Sequence, residues 1–227
     1  MREPVKTTVP ADKRDRRRER TVDTEQRILD AATRLFVAGG YAATTLADVA
    51  AEAGVADRTV YVRFGRKVVL FLRVIDVAIA GDLEAVDVRG RPSFARATTA
   101  DTLEERLEAV VSGSVELMQR FGPLLSAARE AEAVEPEAAE AAQAGRIYTL
   151  ASVRVIWERL RADGLIGDEV DLEWVVATTG LMMAADTYHS IMRTLPWDEA
   201  AYGEWIARTW LHLATTPSPP GLSSPGG

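Results

Sequence analysis

The sequence predicts an all-α protein: an N-terminal three-helix helix-turn-helix domain followed by a larger helical domain. Three observations predict it. Apolar residues return at intervals of three and four, and no run alternates convincingly at period two apart from short patches such as Val86 to Val88. Glycines at 39–40, 54 and 65 cut the first part of the chain into short helical pieces. Charge is divided: residues 1–75 hold 15 Lys plus Arg against 10 Asp plus Glu, whereas residues 76–227 hold 12 against 24. The net charge of −7 therefore conceals a basic first third suited to a polyanion and an acidic remainder.

Residues 1–20 carry eight basic and four acidic side chains with almost nothing apolar, so they read as a disordered basic arm. The first helix is predicted from about Thr24 to Ala38, with Ile28, Ala32, Leu35 and Phe36 on one face and Gly39-Gly40 as its stop. Thr44 or Thr45 caps a second, short helix whose stripe is Leu46, Val49, Ala50 and Ala53, and Gly54 suits the tight corner that follows. A third short helix has Val60 and Phe64 inward and ends at Gly65, before a longer helix from about Arg66. Two short helices joined at a glycine corner read as helix-turn-helix.

Beyond residue 81 a polar stretch to about Ala100, containing Gly90 and Pro92, reads as a loop. Asp101 then caps a helix through Phe121, Pro123 and Pro136 bracket a short helix, and a long one runs to about Ala162. Two more are predicted over Leu172 to Arg193 and Asp198 to Leu213, divided at Leu195-Pro196. The Pro-, Ser- and Gly-rich end, 216–227, reads as a disordered tail. With no cysteine there is neither a disulfide frame nor a thiolate metal cage. The polar start lacks the apolar core of a secretory leader and no run approaches a membrane span, which predicts a soluble, cytoplasmic protein with no membrane partner. No cofactor-binding motif is present, so no cofactor is expected.

Thr45-Leu46-Ala47-Asp48-Val49-Ala50-Ala51-Glu52-Ala53-Gly54-Val55, followed by Thr59-Val60-Tyr61-Val62-Arg63-Phe64 and Lys67, resembles the DNA-binding domain of the TetR family over about Thr24 to Leu72. The resemblance implies a helix-turn-helix DNA-binding domain over 21–72 and a helical effector-binding and dimerisation domain over 73–215. It also implies a homodimer that grips an inverted-repeat operator in double-stranded DNA, as a repressor, and lets go when a small molecule binds. Asp57, Arg58 and Thr59, at the start of the recognition helix, would face base edges, with Arg58 the principal specificity residue and Val62 placed to touch a thymine methyl. Thr45, Tyr61, Arg63 and Lys67 are expected to hold phosphates. Two departures from the family pattern stand out: Ala56 replaces the usual Ser or Thr cap, and Asp57 sets a carboxylate near DNA. The run Lys13, Arg14, Arg16, Arg17, Arg18 and Arg20 is a sequence-independent DNA contact, an arm that reaches a minor groove, or a solvated tail.

In the resembled family the last two long helices form a four-helix dimer interface. Leu181, Met182, Ala185, Tyr188, Ile191 and Met192, with Trp205, Ile206, Trp210 and Leu213, supply apolar faces for it, part of which must be the subunit's own core. The effector pocket is expected among Leu107, Val111, Met118, Phe121, Tyr148, Val155, Met183 and His189, for a largely apolar small molecule. The alternative for each of these eight is plain core, since apolar stripes at helical spacing are what any bundle needs. The rival classes are an architectural DNA binder without an effector and a helical metal-dependent enzyme. The enzyme's best material is Asp186-x-x-His189, which lacks the additional ligands a helical metal site wants; the expectation is not an enzyme and no metal.

Overall fold

The computed structural model describes residues 13–81 and 88–217, with side chains described for 22–81 and 89–217. The expectations for residues 1–12, for Val86 and for residues 218–227 fall outside the described residues, as do the side chains of the basic run from Lys13 to Arg20. Among the described residues there are eleven α-helices and no strand: α1 (Lys13–Ala43), α2 (Leu46–Ala53), α3 (Asp57–Phe64), α4 (Lys67–Ala80), α5 (Pro92–Thr99), α6 (Leu103–Phe121), α7 (Leu125–Val134), α8 (Pro136–Ala162), α9 (Leu172–Met182), α10 (Ala185–Thr194) and α11 (Glu199–Thr215). None is long and apolar enough to cross a membrane.

Several boundaries differ from the sequence prediction: α1 runs past Gly39-Gly40 to Ala43, and Thr102 caps α6 in place of Asp101. α1 begins at Lys13 instead of near Thr24, so part of the predicted arm is helical. No Gly or Pro interrupts residues 13–38, and Arg, Lys and Glu are good helix formers, so a packed helix can propagate backwards. The predicted loop before Ala100 contains α5 and a short 3-10 turn at Val88–Gly90, because Pro92 occupies a first-turn helical position where its missing N–H is no loss. The single helix predicted over Leu172 to Arg193 is two. Ala184 takes extended backbone (φ −66°, ψ 140°), and the Thr187 hydroxyl donates 2.6 Å to the Leu181 carbonyl.

Two apolar clusters organise the chain. The first takes Ile28, Phe36, Val49, Ala50, Val60, Leu70 and Phe71 from α1–α4, all at most 1% exposed, and adds Leu124, Ala127 and Ala131 from α7 and the turn before it. The second is the helical body, where α5 packs on α6, α11 on α6 and α8 on α9. At its centre Trp157 and Trp210 stack with ring centroids 4.9 Å apart, and the Trp157 Nε1 donates 2.9 Å to the Thr179 hydroxyl. A buried cation joins this body: Arg106, 4% exposed, donates to the Ala100 carbonyl at 2.7 Å and pairs with Asp163 at 2.5 Å.

Candidate nucleic-acid interface

The helix-turn-helix is assembled by local chemistry. Thr45 has extended backbone and caps α2; its hydroxyl accepts from the Asp48 N–H at 3.1 Å while the Asp48 carboxylate accepts from the Thr45 N–H at 3.1 Å. This reciprocal box satisfies two donors that the first helical turn leaves open. Ala50 is fully buried between α2 and its neighbours, where a larger side chain would hold the helices apart. Gly54 sits in the left-handed region (φ 63°, ψ 40°), disfavoured for a side chain, and turns the chain from α2 towards α3. Arg27 of α1 secures this corner from outside by donating to the Ala53 and Gly54 carbonyls at 2.6 and 3.2 Å. Nothing in a helical period marks Arg27 for this task, since its partners lie 26 and 27 residues away.

α3 buries Val60 and Phe64 and turns its other side outward. Asp57, Arg58 and Thr59 are exposed, Tyr61 is half exposed and Val62 is 75% exposed, so these five share an open surface. Val62 stands out, since an aliphatic side chain that exposed is left uncovered by the subunit itself. Ala56 makes no side-chain cap, which leaves the first N–H groups of α3 without one. Asp57 lies in that first turn, where the helix dipole favours a carboxylate.

The other expected phosphate residues are engaged within the chain. Thr45 is occupied as the α2 cap. Arg63 pairs with Glu25, which also meets Arg73 at 3.4 Å. Lys67 donates 2.8 Å to the Tyr41 carbonyl and lies 4.2 Å from the Tyr41 ring centroid. Tyr41 donates in turn to Glu135 at 2.7 Å, and burial together with that carboxylate raises its phenol pKa. Just before it, Gly40 (φ 78°, ψ 178°) kinks α1, and a Cβ there would fall 2.6 Å from Glu130, whose carboxylate accepts the Ala42 N–H at 3.0 Å. Arg66 reaches Glu137 at 2.8 Å. The reading head is thereby fastened to α7 and α8.

The eight expected effector residues do not converge on one open cavity. Leu107 and Met118 are buried in the core of the body, with Val111, Phe121 and Met183 packed against it. Tyr148 lies apart, its ring 4.7 Å beneath the Arg89 guanidinium, and Val155 is half-buried on α8. His189 lines an open surface depression with Arg129, Glu130 and Arg193. Asp186 does not complete a pair with it, being held by Arg146 at 2.9 Å and Arg129 at 3.1 Å. Among the described residues no group of three or more His, Asp or Glu side chains is arranged to hold a metal.

Burial, then the Arg129 and Arg193 charges, hold the His189 imidazole below its ordinary 6.5, against the opposing pull of Asp186. The unfolded chain takes up this proton more readily, so the contribution is fully present above 6.5 and is lost as pH falls through the folded value. Thermal melts of His189→Gln should accordingly lose pH dependence below pH 6.5 relative to the parent chain.

Of the residues proposed for the two dimer helices, Met182, Tyr188, Ile206 and Trp210 are spent on the subunit's own core. Leu181 is 72% exposed, and Ile147, Leu150 and Leu211 add apolar surface on α8 and α11.

A short helix pair with an uncovered second member, mounted by its first and fourth helices on an all-helical body, defines the fold of a DNA-binding regulator. Residues 28–74 match the model of the bacterial regulatory proteins of the tetR family. The helix-turn-helix domain is similar to that of the TetR family, and the chain has the fold of that family's transcription regulators. Similar solved structures include a TetR transcription regulator from Haloarcula marismortui (18% identity, 85% of this chain and 97% of that one, TM-score 0.65). A complex of SmeT with triclosan matches at 19% identity over 90% of this chain and 99% of that one, TM-score 0.65. NalD, the secondary repressor of the MexAB-OprM multidrug efflux pump in Pseudomonas aeruginosa, matches at 16% identity over 86% and 98%, TM-score 0.59. No curated protein matches the chain in sequence.

Proposed function

We propose that the chain is a ligand-responsive repressor that binds an inverted-repeat operator as a homodimer through residues 21–72 and is released when a small molecule enters the domain spanning 73–215. The observation that carries the reading is the open face of α3, where Asp57, Arg58, Thr59, Tyr61 and Val62 are all left to solvent by a helix otherwise anchored in the core. Arg58 has the reach and donor fork to read guanine, and Val62 offers a thymine methyl an apolar partner. Tyr61 is free to meet a phosphate. Arg63 and Lys67 would serve as phosphate contacts only by exchanging Glu25 and the Tyr41 carbonyl for DNA, so their first role is to set the orientation of α3. The exposed leucines 181 and 211 supply apolar surface for a second copy. A two-fold dimer would place its recognition helices about 34 Å, or a multiple of that, apart. The solved complex of SmeT with triclosan supports a ligand-binding body of this architecture.

Genomic selection of bound DNA fragments with the purified chain, at stated near-physiological salt, tests the reading. An inverted repeat should be enriched. Arg58→Ala should relax preference at one symmetric base-pair position, losing about 1–3 kcal/mol of discrimination there. Failure to enrich any sequence over random DNA would sink the proposal.

A further inference from the structure

Between Leu46 and Arg73 almost every charged side chain is compensated within the chain. Asp48 meets Thr45, Glu52 meets Arg34, Arg63 and Arg73 meet Glu25, Arg66 meets Glu137, and Lys67 meets the Tyr41 carbonyl. Asp57 and Arg58 are the exceptions: among the described residues neither side chain has a hydrogen-bond or ion-pair partner. They do not pair with each other, because adjacent positions on a helix do not face one another. Nor does the Asp57 carboxylate accept from an N–H of its own helix, so it does not replace the cap that Ala56 fails to supply.

An uncompensated carboxylate is costly on this face. Asp57 is exposed beside Arg58, Thr59 and Val62, and binding that rests on phosphates is opposed by an anion there. The helix dipole favours an acid in the first turn of α3, but that contribution is indifferent to the bases opposite. A carboxylate only accepts and a guanidinium only donates. In the major groove cytosine presents one donor, its N4 amino group, and guanine presents two acceptors, O6 and N7. Thymine sets an O4 acceptor against a carboxylate, and adenine flanks its amino group with the N7 acceptor. An acceptor-only and a donor-only side chain at successive positions therefore match cytosine and guanine. We infer that Asp57 is a specificity-determining residue: its carboxylate accepts from a cytosine N4 amino group at the base pair read by Arg58 or the one next to it, and its charge weakens binding to sequences without that donor. The inference rests on the regulator reading above.

The test repeats the selection of genomic fragments with the full chain, Asp57→Ala and Asp57→Asn at one stated salt concentration, with folding checked by circular dichroism. Each protein is then titrated against the selected operator, the operator with thymine in place of the assigned cytosine, and random duplex. The parent should select cytosine at a symmetric position at or beside the pair whose preference Arg58→Ala relaxes. The thymine substitution should weaken the parent about tenfold or more and leave Asp57→Ala unaffected. Asp57→Ala should also bind random duplex more tightly than the parent, since a charge repelled by phosphates is gone. Asp57→Asn, which keeps the side-chain shape, should move the preference from cytosine towards adenine, whose N6 and N7 suit an amide. A parent operator with no cytosine at that position would overturn the inference and leave the regulator reading standing. So would base preference unchanged in both variants, with affinity lowered evenly for all three duplexes, the result of an acid that only stabilises its helix. Absence of any enriched sequence with the parent would remove the regulator reading and this inference together.

Discussion

Trp157→Ala is expected to lower the folding free energy by about 3–5 kcal/mol, read as a shift in the urea midpoint at unchanged slope. Trp157 has no solvent exposure, and its ring lies against Trp210 at an interplanar angle of 14°. Truncation empties the centre of the body and leaves Thr179, itself fully buried, without the indole donor at its hydroxyl. The environment is closed on every side by helices with their own packing commitments, so collapse into the void is limited. Trp157→Phe retains most of the volume while removing the N–H, and should fall between the parent and the alanine variant. A loss below about 1 kcal/mol for the alanine variant would show that the site relaxes freely, contrary to this packing.

Phe71→Ala should produce a comparable loss, about 3–5 kcal/mol, but with a different functional signature: operator binding should disappear at temperatures where the body remains helical. Phe71, 1% exposed, meets the edges of Phe36 at 4.9 Å and Tyr41 at 5.1 Å. These three rings join α1 to α4, and Tyr41 is also the partner of Lys67. Removing the middle ring loosens the support behind α3 without touching any residue of its outer face. Fluorescence anisotropy with a labelled operator, run beside circular dichroism at 222 nm, separates the two effects; Phe71→Leu, closer in volume, should recover much of the binding. Retention of full operator affinity in a folded Phe71→Ala chain would contradict the dependence of α3 on this trio.

The reading head was legible in the sequence because its determinants are local. The Thr45 cap, the Gly54 corner and the spacing of Leu46, Val49, Ala50, Ala53, Val60 and Phe64 all act within a few residues of one another. What the sequence concealed depends on distant partners. Lys67 and Arg63 look like free cations in a basic segment, and only the folded chain brings them to Tyr41, 26 residues away, and Glu25, 38 residues away. The break at Ala184 has no Gly or Pro to announce it, and α5 was hidden because Gly90 and Pro92 resemble loop punctuation when the proline in fact opens a helix.

Phe121 occupies a position whose consequence reaches the melting behaviour of the whole chain. Among the described residues it is the partly buried side chain that packs against both apolar clusters, at the turn where Leu124 faces one and Leu125 the other. Besides this seam, and besides Leu124, Ala127 and Ala131 packed into the first cluster, the first four helices are tied to the rest by polar contacts: Tyr41 to Glu135, Ala42 to Glu130, Arg66 to Glu137 and Arg120 to Ala78. Such joints are sensitive to salt and to solvent, whereas each cluster holds itself together by its own burial. Heat absorption on scanning should then resolve into two partly merged events, drawn apart by high ionic strength and by Phe121→Ala, and a single Tm would describe neither half.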